Sequence, residues 1–490
     1  MSNETSVARR RFLQGATAVA VIGFDPVRRS WITEAQARGG LRRLPRLDGQ
    51  LVTTPAALAE AADDYGHIIK RTPVAVLRPG SINDVVEMVR YANENRLRIA
   101  MRGQGHSTHG QSQVEAGIVI DSRTMNQIHE VKSGYAVVGP GARWREIVAA
   151  TLPRGQTPPT LPNYLDLTVG GNIAVGGVGG ASHRHGAVVD NILELEVVTG
   201  TGQLRRCSPT QNATLFNSVL AGLGQFGIVV RARIKLLPAK QLVRLYTIQY
   251  PDVASFLDDA RIVTIDERFD HVEGQVNADA SGRFGAATMF AAKYFDPGAP
   301  PNDSALLDNL DFASHTVETI PYGPFLERID PIIDFLKAAG AWSLPHPWFD
   351  TFLPSGTAEQ FMGELFSSVT TADTGNANVL IYPLKRSKMR SQFLRVPSGD
   401  DLFFLFDVLT FAPPVPAVVN QWVARNTTWH KRAEALGAKR YNIGSANLTQ
   451  QDWKNYFSPH WTAALLAKQV YDPKNILTPG QGIFPSSFGC

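Results

Sequence analysis

The residues best suited to chemistry lie in one short stretch, Arg102-Gly103-Gln104-Gly105-His106-Ser107. Apolar runs at residues 97–100 and 117–121 flank it, so the pattern predicts a tight loop between two strands. Glycines on either side of one residue let the backbone take positive φ and turn several amides toward one point, which suits a diphosphate. His106 would then lie at the rim of that site. The loop alone does not decide this, because Thr108 replaces the third glycine of a dinucleotide fingerprint and a lone histidine is more often structural.

A second glycine-rich segment runs from Thr168 to Gly180 and holds six glycines in thirteen residues. So many glycines would weaken a core strand or helix unless something approaches the backbone closely. A flexible linker is the alternative interpretation, but linkers are polar, and this segment is interleaved with valine and isoleucine. The composition therefore favours a ligand-lining wall.

Length and charge limit the class of protein. At 490 residues the chain is long enough for two domains, and its formal charge of +4 is too small and scattered to predict a nucleic-acid partner. Arg9-Arg10-Arg11-Phe12-Leu13 matches the twin-arginine export pattern, and Ala35-Gln36-Ala37 is typical of a cleavage site. Residues 1–37 are therefore a predicted signal peptide for periplasmic or extracellular export. The apolar run at 16–24 is too short for stable membrane insertion.

The two cysteines, Cys207 and Cys490, are too few for a disulfide framework, and the sequence leaves open whether they are free. No histidine or cysteine spacing matches a zinc site, so we expect no metal.

The elements around these loops indicate an α+β fold. Ser81 to Asp84 resembles a capping box that opens a helix, and residues 144–150 form another short helix. Residues 193–197 alternate in polarity before the turn Thr199-Gly200-Thr201-Gly202, which predicts a hairpin. A helix at 215–220 and a strand from 228 to 234 follow. From about residue 241 to 435 the glycine loops stop and aromatic patches such as Leu344-Pro345-His346-Pro347-Trp348 begin, which predicts a separate, substrate-covering domain.

Taken together, these motifs resemble the vanillyl-alcohol oxidase superfamily of flavoproteins, and within it the cytokinin dehydrogenases. The matching pieces occur in order over roughly residues 65–485. They comprise the loop at 102–107, Leu167 to Gly171, Arg184-His185-Gly186, Asn191 to Leu195, Gly222 to Ile228, Val272-Glu273-Gly274, Pro345 to Trp348, Ile381 to Leu384 and the tail from Asp472 to Phe484.

The resemblance implies a two-part FAD-binding domain of the p-cresol methylhydroxylase type, formed by residues 65–240 and completed by 436–490, with an inserted α+β cap domain at 241–435. It also implies FAD linked covalently through His106. A second link of the berberine-bridge type needs a cysteine in the second glycine segment, which holds none, so we expect a single bond. Other positions matching flavin-lining residues are Gly103, Gln104, Gly105, Ser107, Gln111, Thr168, Val178, Ile228, Tyr441, Thr478 and Gln481.

The match breaks on the substrate side. Cytokinin dehydrogenases are thought to use an aspartate base hydrogen-bonded to a glutamate; the glutamate matches Glu273, but the aspartate position holds Asn163. An amide cannot take a proton near neutral pH. Asp166, three residues further on in an extended segment, should point to the opposite face. Met389 and Asn442 also replace the tryptophan and leucine of the family.

Three functions remain open. The first is an exported FAD oxidoreductase that takes a hydride from a carbon next to nitrogen or oxygen of a small substrate, with Glu273 and Asn163 positioning it. Glu273 could act as base there if burial raises its pKa. The second is a true cytokinin dehydrogenase that cleaves N6-side-chain adenines and tolerates Asn163. The third is a flavin-carrying binding protein with little turnover. The substrate, the electron acceptor (oxygen or a quinone) and the oligomeric state stay open.

Overall fold

The computed structural model describes residues 21–25, 30–33 and 42–485. Most of the predicted signal peptide, including its arginines and its cleavage site, lies outside the described residues, as does Cys490. The described N-terminal pieces form a small antiparallel sheet in which β1 pairs with both other strands. Its strands are β1 (Val21–Asp25), β2 (Ser30–Thr33) and β3 (Arg42–Arg43).

The first glycine loop follows one strand of a four-stranded sheet, whose strand order is β4-β5-β7-β6. Its strands are β4 (Gln50–Val52), β5 (Ala75–Arg78), β6 (Ile99–Arg102) and β7 (Ile118–Asp121), with helices α1 (Pro55–Ala61) and α2 (Ile82–Asn95). Both β5 and β6 run parallel to β7, and Ile118, Val119 and Ile120 are fully buried, as expected of a parallel sheet covered on both faces. The stretch at 102–107 directly follows β6, so the prediction of a loop between two strands is confirmed.

Helix α2 begins as the sequence predicts, but its cap is only half of the expected box. The Ser81 hydroxyl accepts a hydrogen bond from the Asp84 amide at 3.3 Å. The Asp84 carboxylate instead accepts from the amides of Asp48, Gly49 and Gly80. It therefore fastens the chain before β4 to the start of the helix.

The next sheet, called the five-stranded sheet, is antiparallel and has the strand order β12-β11-β13-β9-β8. The elements of this region are β8 (Ile128–Lys132), β9 (Tyr135–Val138), α3 (Trp144–Thr151), β10 (Gln156–Thr157), α4 (Val169–Val175), α5 (Ser182–His185), β11 (Ile192–Val198), β12 (Leu204–Cys207), α6 (Ala213–Val219), β13 (Ile228–Lys235) and β14 (Leu237–Pro238). The predicted hairpin is confirmed as β11 and β12. Cys207 at its end is a buried free thiol.

The region after β14 is built on one eight-stranded antiparallel sheet with strand order β18-β15-β17-β16-β20-β21-β19-β22. Its elements are β15 (Leu242–Tyr250), α7 (Val253–Ile265), β16 (His271–Ala278), β17 (Phe284–Phe295), α8 (Asp303–Leu307), β18 (Ser314–Pro321), α9 (Tyr322–Leu326), α10 (Asp330–Ala338), β19 (Phe349–Pro354), α11 (Ser355–Ser368), α12 (Thr371–Thr374), β20 (Asn378–Lys385), β21 (Leu402–Leu409), α13 (Pro416–Ala435) and β22 (Lys439–Arg440). Side chains alternate between its faces. Phe404 and Phe406 pack in one core with α7 and α11, whereas Phe403 and Leu405 pack in the core that includes the five-stranded sheet.

The C-terminal tail packs against the four-stranded sheet that carries the first glycine loop. After α14 (Gln450–Phe457) and α15 (Trp461–Tyr471), the Ile99 amide donates to the Ile476 carbonyl and the Thr478 amide donates to the Ile99 carbonyl, both at 2.7 Å. The tail is held by Lys468, which is fully buried and bonds the Asp472 carboxylate at 2.8 Å. The described helices include none long and apolar enough to cross a membrane.

Candidate functional site

A cavity of about 1730 Å³, which includes solvent space at its opening, brings the glycine loops together with the large sheet. All twelve residues that the sequence assigns to the flavin lie on its wall: Gly103, Gln104, Gly105, His106, Ser107, Gln111, Thr168, Val178, Ile228, Tyr441, Thr478 and Gln481. Of the predicted substrate-side residues, Asn163 and Asn442 also line it. The predicted residues Glu273 and Met389 are not part of the wall.

The first glycine loop is held by Asp64, which sequence reasoning missed. Its carboxylate accepts from the Ser107 hydroxyl at 2.9 Å, the Gly110 amide at 2.7 Å and the Gly66 amide at 3.1 Å. Burial raises the pKa of Asp64 to about 6, against the opposing effect of these hydrogen bonds. The loop therefore depends on one buried acceptor that belongs to the preceding segment.

Both glycine loops are shaped for close approach. Gly105 has φ of 68°, and a Cβ there would collide with the Arg102 guanidinium. A Cβ at Gly103 would collide with the side chain of Thr168, which caps α4 in the second glycine segment. The first glycine loop and the start of α4 thus meet along the cavity wall. Together with the apolar wall from Ile173 and Ile228, this cradle fits a dinucleotide that carries a flat ring system.

His106 lies in a group of aromatic rings. Its ring stacks on Tyr65 with centroids 4.2 Å apart and lies 5.2 Å from Tyr164 and 5.7 Å from Trp348. Burial, and then the neighbouring His346, lowers the pKa of His106 to about 3. The imidazole is therefore neutral over the physiological pH range, and a ring nitrogen keeps its lone pair.

Asn163 stands between an anion and a cation. Its Nδ2 donates to Glu273 Oε2 at 2.6 Å and to the Tyr382 hydroxyl at 2.9 Å, and its Oδ1 accepts from Arg328 Nη2 at 2.9 Å. Arg328 Nη2 also lies 3.0 Å from Glu273 Oε1. An amide suits this place because it donates to a carboxylate and accepts from a guanidinium at the same time.

Glu273 does not have the raised pKa that its predicted role as a base requires. Burial alone would raise its pKa, but Arg328 and His271 together with hydrogen bonds outweigh burial and hold the pKa well below its ordinary value. The carboxylate is therefore ionised and paired, and it accepts a hydrogen bond from Asn163, which lines the cavity. The condition for a basic role is not met.

Met389 and Asp166 point elsewhere. Met389 follows a short 3-10 turn at Arg386–Lys388, which hydrogen bonds from Ser387 fasten to the Asp401 carboxylate, and packs against core residues. That turn carries Met389 away from the cavity wall. Asp166 bonds Arg143 and Arg145, as expected of a side chain on the face opposite Asn163.

Sequence reasoning missed Arg328, Tyr65 and Asp407. Arg328 and Tyr65 sit in segments without a distinctive pattern. Asp407 did carry a signal, because it is the charged residue in the apolar run Leu402-Phe403-Phe404-Leu405-Phe406-Asp407-Val408-Leu409. A carboxyl group in a buried strand is rare and usually functional or paired.

Comparison with known proteins agrees with this geometry. A family model described as an FAD binding domain matches residues 73–208. A second, described as "Cytokinin dehydrogenase 1, FAD and cytokinin binding", matches residues 301–484.

Whole-chain relatives give the same result. An uncharacterized oxidoreductase in the fasciation locus of Rhodococcoides fascians is 39% identical over 432 residues, which cover 87% of this chain and 97% of the relative. Cytokinin dehydrogenase 1 of Arabidopsis thaliana is 32% identical over 480 residues, covering 87% and 81%. Cytokinin dehydrogenase 4 of Oryza sativa subsp. japonica is 33% identical over 485 residues, covering 90% and 91%.

The fold, the glycine-lined cavity and these matches define an FAD-dependent oxidoreductase. Within that class, the chain belongs to the family of cytokinin dehydrogenase-like oxidoreductases.

Replacing Asp64 tests whether one carboxylate holds the cofactor loop. Asp64→Ala leaves the donors of Ser107, Gly66 and Gly110 without this acceptor, so we expect unfolding to become easier by about 1–3 kcal/mol. Flavin bound per protein should fall as well. Denaturant unfolding and flavin absorbance measure the two effects. Asp63→Ala is the control, because the Asp63 carboxylate contacts His67 and the Asp64 amide, not the loop. Equal losses in both variants would contradict this role.

Replacing Glu273 tests the buried ion pair. Glu273→Gln leaves the mostly buried Arg328 without its charge partner, so stability at neutral pH should fall by about 2–4 kcal/mol, somewhat less than for a fully buried pair. The folded pKa of Glu273 lies below its ordinary value of 4.5. Its stabilising contribution is therefore complete above that pH and is lost as the pH falls through the folded pKa. The difference between wild type and variant, measured by denaturant unfolding, should shrink in acid; a difference that grows in acid would exclude the ion-pair account.

Proposed function

We propose that the chain is an exported oxidoreductase in which FAD is bound covalently through His106 and accepts a hydride from a carbon next to nitrogen or oxygen of a small organic substrate. The observation that carries this proposal is the cavity itself, whose wall combines the twelve flavin-matching residues with polar side chains from the large sheet. Bound FAD would supply the two-electron chemistry that no side chain can perform.

The chain's own residues would hold the cofactor in two ways. The backbone of Gly103 to Ser107 would offer amides to the diphosphate. Gly170 and Gly171 keep the facing wall free of side chains, while their own amides donate to the Pro140 carbonyl and the Thr168 hydroxyl. Thr478 and Gln481 tie the tail to the same wall, because their side chains donate to the carbonyls of Gly224 and Leu223. We further propose that these parts form the p-cresol methylhydroxylase type of domain, with the large sheet as its cap.

The environment of His106 supports the covalent link. A neutral imidazole with a free lone pair is the form that can bond to a flavin carbon, and burial keeps His106 in that form. The described part of the second glycine segment contains no cysteine, which supports a single bond.

The substrate end supports an amine or alcohol other than an ordinary cytokinin. Asn163 cannot take a proton, and its amide is fully engaged with Glu273, Tyr382 and Arg328. The second candidate is a true cytokinin dehydrogenase. The printed names of its relatives and of the model that matches residues 301–484 favour it.

Export and reoxidation complete the proposal. The twin-arginine pattern at residues 9–13 supports export to the periplasm or beyond by a route that carries folded, cofactor-loaded proteins. Oxygen or a quinone would be the electron acceptor. Neither nucleic acid nor stable membrane insertion has a place in this function.

Acid precipitation of the purified protein tests the covalent link. We expect a yellow pellet from the wild type, because a histidyl bond survives denaturation. His106→Ala should release its flavin into the supernatant. His109→Ala is the control: this residue belongs to the same loop but does not line the cavity. A colourless wild-type pellet, or a yellow pellet from His106→Ala, would disprove the assignment.

Anaerobic flavin bleaching separates the candidate substrates. We expect the wild type to be reduced by members of a panel of secondary amines and alcohols, and slowly or not at all by isopentenyl adenine. Asn163→Asp introduces a carboxyl group within 2.6 Å of Glu273, so the two carboxyl groups should share a proton and the introduced one could act as a base. Isopentenyl adenine should then bleach that variant at least about tenfold faster.

Rapid bleaching of the wild type by isopentenyl adenine would favour the cytokinin dehydrogenase. No bleaching by any compound would favour a flavin-carrying binding protein. Asp166→Asn is the matched control, since that carboxylate faces away from the cavity and should leave every rate unchanged.

A further inference from the structure

One carboxyl group lies on the cavity wall, and it is not at the position where the family carries its base. Among the described residues that line the cavity, Asp407 is the acidic one. It lies in the middle of β21, and its neighbours on the same face, Leu405 and Leu409, also line the cavity. On the adjacent strand β20, Leu380 and Tyr382 do the same. The sheet therefore presents one carboxyl group from an otherwise mostly apolar surface.

Asp407 is paired with a second buried carboxyl group. Asp350 lies directly opposite it on β19, so the two side chains share one face of the sheet within hydrogen-bonding reach. In the part of the chain that the structure describes, neither oxygen of Asp350 nor Oδ1 of Asp407 has another hydrogen-bond partner. Asp350 is fully buried and Asp407 is 5% exposed. Two carboxylates cannot satisfy one another without a proton between them, so this pair is built to hold a proton.

The surroundings fix the charge of the pair. Arg440 on β22 is buried near Asp350, and its Nε and Nη1 have no hydrogen-bond partner among the described residues. Tyr382 on β20 and Tyr441 after β22 face Asp407, and burial keeps both phenols neutral by raising their pKa values. A Cβ at Gly444 would collide with Asp350, so the following loop covers the pair from that side. One positive charge is thus set against a pair that carries one negative charge when it holds one proton.

We propose that the Asp350–Asp407 pair is the base of the reaction, with Asp407 as the catalytic residue that contacts the substrate and Asp350 as its positioning residue. The inference rests on the proposed function and names the group that does what Asn163 cannot. Bound FAD would supply the hydride acceptor for the substrate C–H bond. Asp407 would accept the heteroatom proton while the proton that it shares with Asp350 moves to Asp350, and the substrate would gain a C=N or C=O bond. The singly protonated pair becomes doubly protonated, so atoms and charges balance.

Elimination supports this assignment. Glu273 does not line the cavity and is paired with Arg328, and the pKa of His106 is lowered to about 3. Burial raises the pKa of Tyr164 to about 12. For the pair, burial raises the pKa of Asp350 to about 7 and raises that of Asp407 well above its ordinary value. As an interacting pair they titrate together, and a pKa raised above that of an ordinary carboxyl group suits a general base.

Two variants separate the roles. We expect Asp407→Asn to slow anaerobic flavin reduction by N-methylbenzylamine by about 10²–10⁴-fold at neutral pH. It should also abolish the rise of the rate with pH that loss of a proton from the base produces. Asp350→Asn keeps Asp407 but removes the carboxyl group that shares its proton. Its pH profile should keep a rise, because Asp407 can still lose a proton, and the midpoint of that rise should differ from the wild-type midpoint. Asp166→Asn should keep the wild-type profile.

A second measurement needs no substrate. Infrared difference spectra of the flavin-loaded protein, titrated from acid to base, should show the C=O band of a protonated carboxyl group that weakens as the pair loses its first proton and persists while the pair holds the second. Asp407→Asn and Asp350→Asn should each change that band, and Asp166→Asn should not. Bound flavin and the unfolding midpoint, measured on every variant, report whether a loss of rate comes from misfolding.

The outcomes are distinct. If the wild type is reduced and Asp407→Asn keeps both its rate and its pH profile, the carboxyl pair is not the base. A spectrum without the titrating band also overturns the inference, even if no compound reduces the flavin. A wild type that no compound reduces, but that shows the band, contradicts the proposed function and leaves the proton-holding pair in place.

Discussion

The ion pair between Glu273 and Arg328 determines which polar groups at the substrate end of the cavity are already bonded to one another. Glu273 is buried and the Arg328 side chain is 18% exposed, so each charge would be costly without the other. Arg328 lies between α9 and α10, whereas Glu273 lies on β16, so their contact fastens a helical segment onto the large sheet. Asn163 completes the arrangement by bonding both partners. Its amide satisfies an anion and a cation together, which a single carboxylate could not do.

These contacts limit the chemistry that Glu273 and Asn163 can perform. The two groups that sequence reasoning placed at the centre of catalysis are used to hold the site together, and neither is free to accept a proton. The capacity to do so lies instead on the neighbouring strands, where Asp407 and Asp350 face each other across β21 and β19. The cofactor side is shaped by other residues, because Asp64 and the close contact of Gly103 with Thr168 hold the glycine-rich segments. A scaffold divided in this way can keep its cofactor while its reactive groups change.

The sequence by itself determined the parts that depend on local chemistry. Positive φ and close backbone approach require glycine, so the loop at 102–107 and the segment at 168–180 could be recognised without a structure. The hairpin of β11 and β12 and the start of α2 at Ser81 followed from alternation and capping in the same way. The order of these motifs led to the flavoprotein family, and the flavin-matching residues do lie on one wall.

Only the tertiary structure decided which polar groups meet. Arg328 and Glu273 are 55 residues apart, and Ser107 and Asp64 are 43 apart, so no local pattern links them. The direction of the Glu273 pKa shift depends on that distant guanidinium, and burial alone would have reversed it. The pairing of Asp350 with Asp407 is set by strand register, because a slip of one residue would turn Asp407 to the other face of the sheet. Register is fixed by the packing of the whole sheet, which is why the sequence could name the cofactor but not the group that would take the proton.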